Sequence, residues 1–262
     1  MTSTLGRVLI IAGSDSGGGA GIQADIKAVT MLGGYAATAI TAITVQNTLG
    51  VHGVHPLPLD LIEDQARAVL DDIGADAIKT GMLGAVDVVE RVAAILDVAS
   101  VPAVVDPVMI AKGGHSLLAE EAISAVKSLM IPRAALLTPN APEAEALTGL
   151  TVADLDGQRR AGAFLIGLGA RAVLMKGGHI PGETVIDVLV TETGETLLEG
   201  PRSRPGIPTA PAAPWPAPAP PVWPRVCRWR PRSPRPGPMS PKRSGGPRVW
   251  AAATDRSITA GR

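Results

Sequence analysis

The feature that most constrains this chain is an alternation running through its first 200 residues. Short apolar runs, each closing on a polar or glycine-rich turn, take turns with segments of helical spacing. Residues 8–12, 37–45, 103–105, 134–137 and 172–175 are largely apolar and read as strands, and residues 75–79 are a short strand candidate. Residues 20–32, 59–73, 86–98, 119–130, 141–148 and 152–168 read as helices. Ile22, Ile26, Val29 and Met31 or Leu32 share one side of the first, Ile62, Ala66, Val69 and Ile73 of the second, and Val88, Val92 and Ile95 of the third. Residues 184–190 and 195–199 read as a closing hairpin around Thr193-Gly194. This βα alternation predicts an α/β fold, a mainly parallel sheet with helices on both faces. Ligands of such sheets sit at the carboxyl ends of the strands. Polar and glycine residues collect there: Gly13-Ser14-Asp15, Gln46-Asn47, Lys79-Thr80-Gly81-Met82, Asp106-Pro107, Thr138-Pro139-Asn140 and Lys176-Gly177-Gly178.

The alternation stops near residue 202, and so does the composition that supports it. Residues 1–200 carry 12 Lys/Arg against 23 Asp/Glu, whereas residues 201–262 carry 12 against the single acid Asp255. The formal net charge of zero is therefore the sum of an acidic body and a basic tail. The tail also holds 16 of the 24 prolines, all four tryptophans and the one cysteine, Cys227. Prolines at that density forbid regular helices, and the segment reads as Pro/Arg-rich and disordered. One cysteine builds no internal disulfide, and no Cys/His cluster has zinc spacing. No apolar run reaches the length of a membrane span, and the amino terminus lacks the features of a signal peptide. A cytosolic protein without membrane attachment is the expectation, and the acidic body argues against nucleic-acid binding.

Each strand-end motif has a plain structural reading beside a chemical one. Gly13 to Gly21 joins a strand to a helix with five glycines, which lets backbone approach a ligand at a helix N-terminus or simply makes a tight turn. It is not a P-loop, because no Gly-Lys-Ser/Thr follows at the required spacing. Asp25 is a helix carboxylate one turn further on. Gln46 can read a ring edge by paired hydrogen bonds or cap its strand. Asn140 and Glu143 have capping-box spacing, and the same pair can organise a Mg²⁺–phosphate shell. Lys176, before two glycines, is a phosphate contact or a surface lysine at a turn.

The motifs are more specific together than singly. Gly-Ser-Asp-Ser-Gly-Gly-Gly-Ala-Gly-Ile-Gln-Ala-Asp at 13–25, Thr-Val-Gln-Asn at 44–47, Lys-Thr-Gly-Met-Leu at 79–83, Asp-Pro-Val-Met at 106–109, Thr-Pro-Asn-x-x-Glu at 138–143 and Leu-Met-Lys-Gly-Gly-His at 174–179 occur in one order. This set closely resembles the hydroxymethylpyrimidine/phosphomethylpyrimidine kinases of thiamine biosynthesis, in the ribokinase-like superfamily, continuously over residues 5–202. The resemblance implies a three-layer αβα sandwich over residues 1–202. It implies ATP-dependent phosphorylation of 4-amino-5-hydroxymethyl-2-methylpyrimidine and then of its monophosphate, with ATP and Mg²⁺ required and a homodimer as the assembly. Gln46 would read the aminopyrimidine, with Gly13, Asp25, Met82 and Val108 around the ring. Asn140, Glu143 and Lys176 would serve the ATP phosphates, and Asp106 with Glu143 the metal. A pyridoxal-type kinase and a non-catalytic pyrimidine-binding protein are the alternatives.

The resemblance ends where the tail begins. Family members carry a Gly-Thr-Gly-Cys segment after the last hairpin, whose amides form an anion hole and whose cysteine is placed as a base. No such string occurs here, so no catalytic base is assigned. A legal codon choice for Arg204 to Pro216, read one nucleotide back, spells Thr-Arg-Asn-Thr-His-Gly-Thr-Gly-Cys-Thr-Leu-Ala. Pro220 to Pro224 can give Ala-Gly-Leu-Ala in the same register. Residues 203–262 are therefore expected to be the out-of-frame reading of a kinase C-terminus, the alternative being a genuine Pro/Arg-rich extension suited to acidic partners. Sequencing the gene decides it: the idea fails if no alternative frame after codon 200 encodes Gly-Thr-Gly-Cys.

Overall fold

In a computed structural model, the structure describes residues 6–109 and 120–202. The Pro/Arg-rich tail, with Cys227 and the expectation of disorder, lies outside the described residues, as does the start of the helix expected from 119. Among the described residues, nine strands form one sheet in the order β3-β2-β1-β4-β5-β6-β7-β8-β9. They are β1 (Arg7–Asp15), β2 (Tyr35–Gln46), β3 (Val51–Pro56), β4 (Ala77–Thr80), β5 (Ala103–Val105), β6 (Ala134–Leu137), β7 (Ala172–Met175), β8 (Thr184–Thr191) and β9 (Gly194–Pro201). The run from β2 to β7 is parallel, and the antiparallel partners are confined to its edges: β3 on β2, and the β8–β9 hairpin on β7. The helices are α1 (Gly21–Met31), α2 (Leu59–Ala68), α3 (Val86–Ala99), α4 (Glu120–Ala125), α5 (Ala141–Thr148) and α6 (Leu155–Gly167).

The strand order fixes which face each helix covers. From β1 the chain steps outward to β2, then returns past β1 to build β4 to β7 in the opposite direction. A parallel crossover is right-handed, so reversing the direction of travel moves the connecting helix to the other face. Alternation along β1 records this split. Leu9 and Ile11 enter the large core with α2, α3, α5 and α6, whereas Ile10 and Ala12 pack with Ile22 of α1 in a small second core. The reversal lies between β1 and β4, which is where doubly wound sheets open a crevice at their carboxyl ends.

The expected elements are present, with corrections at several boundaries. Met31 and Leu32 do not join the apolar side of α1; both are exposed, because the helix ends there and the chain turns through Gly33 at φ 78°. The helix expected over 59–73 is α-helical only to Ala68 and then widens to a π-helical turn over Val69–Ile73, which leaves Val69 and Ile73 half-buried. Val126–Met130 is π-helical as well. The last long helix begins three residues later than expected, at Leu155, because Asp154 caps it by accepting from the Gly157 amide at 2.7 Å. Strand β3 was not expected. Its sequence, Val-His-Gly-Val-His-Pro, is an exposed edge with little apolar pattern.

Candidate active site

The glycine-rich segment after β1 is organised by its own carboxylate. Asp15 is 5% exposed, and its Oδ1 accepts from the Gly17 amide at 2.8 Å. Its Oδ2 accepts from Gly19 and Ala20 at 3.0 and 2.8 Å. The amides that could have cradled a phosphate are thus already spent on an internal anion. Ala20, the N-cap of α1, has no side-chain cap of its own. Gln23 completes the knot, accepting from the Asp15 amide and donating to Ser14 Oγ, each at 2.7 Å. Gly21 is obligatory: it sits at φ 55°, and a Cβ there would lie 2.4 Å from the Gly13 carbonyl oxygen.

Strand β2 closes over this loop. Thr44 Oγ1 donates to the Ser14 carbonyl at 2.7 Å, and Ser16 Oγ donates to the Gln46 carbonyl at 2.7 Å while accepting from the Gln46 amide at 2.8 Å. Asp15, Gly17, Gly19, Ala20, Gln46 and residues 47–51 line a cavity of about 360 Å³. Among the described residues the Gln46 side chain has one partner, Thr44 Oγ1 at 3.3 Å to its Oε1, and its amide nitrogen has none. Gly13 and Met82 also meet, since a Cβ on Gly13 would lie 2.5 Å from Met82 Cε. Val108 is placed apart from Gln46, lining a small second cavity with Thr80, Asp106 and Met130.

The remaining candidates form a row of alternating charge. Asp25 Oδ2 lies 2.7 Å from Lys79 Nζ, which lies 3.9 Å from Asp106 Oδ2. Asp106 Oδ1 lies 2.9 Å from Lys176 Nζ, which lies 3.9 Å from Glu143 Oε2. The Asn140–Glu143 capping box is complete: Asn140 Oδ1 accepts from the Glu143 amide at 2.9 Å and Glu143 Oε2 accepts from the Asn140 amide at 2.8 Å. The capping reading of that pair is met, and the capping carboxylate also faces Lys176. Glu143 is 3% exposed, and burial pushes its carboxyl above the usual glutamate range. The Asn140 amide and the Lys176 charge pull against that rise, and the Asp106 charge adds to it. Gly177 continues the close packing, its amide donating to Asp187 Oδ1 at 2.7 Å. Asp15 and Lys79 stand in the strand-end motifs of the sequence but are given no role there. An Asp two to five residues before a run of amides, and a lysine inside an apolar strand, were the available signals.

No group of three or more His, Cys, Asp or Glu side chains gathers as a metal site among the described residues. Asp106 and Glu143 nonetheless fit Mg²⁺, which is commonly held by one or two carboxylates and completed by water and substrate phosphates.

Residues 15–206 match the phosphomethylpyrimidine kinase family. The chain belongs to that family. A hydroxymethylpyrimidine/phosphomethylpyrimidine kinase of Bacillus subtilis is 52% identical over 185 residues, which cover 70% of this chain and 68% of that protein. Among solved structures, phosphomethylpyrimidine kinase from Clostridium difficile is 43% identical with a TM-score of 0.69, over 73% of this chain and 83% of that one. Pyridoxal kinase from Staphylococcus aureus, solved with AMP-PCP and pyridoxal, is 33% identical with a TM-score of 0.71, over 78% of this chain and 74% of that one. In this phosphomethylpyrimidine kinase fold, the loop after β1, the end of β2 and the charge row all lie at strand carboxyl ends. No described helix is long and apolar enough to cross a membrane.

Proposed function

We propose that this chain binds 4-amino-5-hydroxymethyl-2-methylpyrimidine, and its monophosphate, beside ATP, and that turnover by this product is severely reduced. The observation that carries the reading is a cavity of about 360 Å³ lined by Gln46, whose amide nitrogen has no partner among the described residues, together with a charge row that reaches from Asp25 to the Lys176–Glu143 pair. A neutral ring suits the loop, since Asp15 already occupies its amides. Gln46 reads the aminopyrimidine edge, with Gly13, Asp25 and Met82 around the ring, while Val108, expected there from the sequence, lies instead beside Asp106 in a separate small cavity. Lys176 meets the transferring phosphates, while Asn140 holds Glu143 in place by the capping box. Mg²⁺, held by Asp106 and Glu143, supplies charge neutralisation of the phosphates. What the chain lacks is the Gly-Thr-Gly-Cys segment, and losing such amide donors costs on the order of 10²–10³ in rate for each. The resemblance further implies a cytosolic homodimer, which light scattering of the purified protein checks.

Calorimetric titration with the aminopyrimidine, the ATP analogue AMP-PCP with Mg²⁺, and pyridoxal tests the assignment, with a steady-state kinase assay beside it. The expected result is aminopyrimidine binding that is lost on Gln46→Ala, with turnover at least about 10²-fold below an in-frame relative. Preferential binding of pyridoxal would overturn the substrate, and robust turnover would overturn the impairment.

A further inference from the structure

We infer that Lys79 is a positioning residue that couples the pyrimidine side of this site to its phosphate side. The inference rests on the reading above. Lys79 lies on β4, in register with Ile10 of β1 and Val104 of β5. Strands at the centre of a parallel sheet are covered on both faces and normally carry apolar side chains there. A lysine at such a position needs a partner, because an unpaired buried ammonium is costly. Lys79 has two. Its Nζ is 2.7 Å from Asp25 and 3.9 Å from Asp106, and Lys79 and Asp25 have only 22% of their side chains exposed. Asp25 stands on α1, among the residues assigned to the ring. Asp106 follows β5 and shares Lys176 with Glu143, among the residues assigned to phosphate and metal.

The local backbone makes room for this sharing. A Cβ on Gly81 would lie 3.3 Å from Lys79 Nζ and 2.9 Å from the Ala12 side chain. The ammonium therefore rests over the turn that leads to Met82, itself a ring contact. The Asp106 amide donates to the Thr80 carbonyl at 3.1 Å, which ties the ends of β4 and β5 together beneath the charges. Three carboxylates share two ammonium groups along the row. Whatever neutralises Asp106 frees Lys79 to pair with Asp25 alone. That fixes Asp25, and with it the first turns of α1, against the ring. Occupation of the phosphate side thus tightens the pyrimidine side, and by linkage the reverse holds to the same degree. A purely structural staple between α1 and β4 would contribute stability without that coupling.

The test measures binding of 4-amino-5-hydroxymethyl-2-methylpyrimidine to the full chain by calorimetry, with and without saturating Mg²⁺ and AMP-PCP. In the parent protein the affinity should rise about 10-fold when the nucleotide is present, within the usual range of coupling between sites. Lys79→Met should bring that ratio to about 1, Lys79→Arg should restore much of it, and Asp25→Asn should abolish it from the other side. An unchanged ratio in folded Lys79→Met, or in Asp25→Asn if the first variant does not fold, overturns the inference and leaves the ligand assignment standing. A parent ratio of 1 does the same. A parent protein that binds neither ligand overturns the assignment itself, and the inference with it.

Discussion

Replacing Asp15 by alanine should cost more than its single charge suggests. The carboxylate accepts three backbone amides, from Gly17, Gly19 and Ala20, at 2.8–3.0 Å. A hydrogen bond to a charged acceptor contributes about 1.5–3 kcal/mol. The three are not equal. Gly17 and Gly19 are exposed, so water recovers most of what their amides lose, leaving about 0.5–1 kcal/mol each. Ala20 is half-buried at a helix start with no other side-chain cap, so its amide loses nearly the full value. The sum is about 3–5 kcal/mol for Asp15→Ala. Asp15→Asn keeps one oxygen but turns an NH₂ toward donors, so it should recover less than half of the loss. Urea unfolding followed by circular dichroism reads the stability, and titration with the aminopyrimidine reads the loop. Both variants should lose ring binding, because the knotted loop forms one wall of the Gln46 cavity. If Asp15→Ala unfolds within about 1 kcal/mol of the parent and binds the ring equally well, the carboxylate does not organise the loop and the reasoning fails.

Three further substitutions probe the other end of the sheet. Glu143 has a raised pKa in the fold, so the stability it contributes is fully present below its unfolded value of 4.5 and is lost as pH rises through the folded one. Glu143→Gln keeps the cap acceptor without the charge. In thermal melts of the empty protein it should therefore be more stable than the parent at pH 8, with the gap closing as pH falls. The same variant should bind Mg²⁺–AMP-PCP about 10-fold or more weakly, and a gap that widens on acidification would contradict the assignment. Gly177→Ala should cost on the order of 3 kcal/mol, since its Cβ would lie 2.0 Å from the Ile186 carbonyl oxygen. Gly178→Ala, with open space around it, should melt within about 0.5 kcal/mol of the parent.

What the sequence disclosed depended on how far each element speaks for itself. Strands β5, β6 and β7 are legible to the residue, because a strand buried on both faces must be apolar throughout and these end abruptly at Asp106, Thr138 and Lys176. Helix α5 is equally plain, since its cap and its acidic partner are both written into positions 140 and 143. Edge strand β3 is not, because its pairing to β2 is made by backbone and its side chains point largely to solvent. The π-helical turns escape as well: one extra residue per turn leaves no compositional mark. At the site, the strand-end residues could be listed but not paired. That Lys79 meets Asp25 across 54 positions, or that Asp15 and not a ligand fills the glycine loop, follows from strand order and loop path. The Lys79–Asp25 pairing is encoded in no local window, whereas the Asp15 knot spans only five residues and is marked there by an Asp before a run of amides.

The two cores are unequal, and that has a consequence for how the protein breathes. Among the described residues, α1 is alone on its face and buries one residue, Ile22, against Ile10 and Ala12. The helices opposite share a continuous core that reaches from Leu9 to Val190. Sub-global opening begins where the fewest apolar contacts hold an element down. Amide hydrogens of α1 should therefore exchange with deuterium well before those of β4 to β7. The first helix carries Asp25 and follows the Asp15 loop, so the wall proposed to bind the ring is the part that comes and goes while the sheet stays closed. Aminopyrimidine should slow exchange in α1 far more than anywhere else, a footprint that reads ligand binding even in a product that turns over nothing.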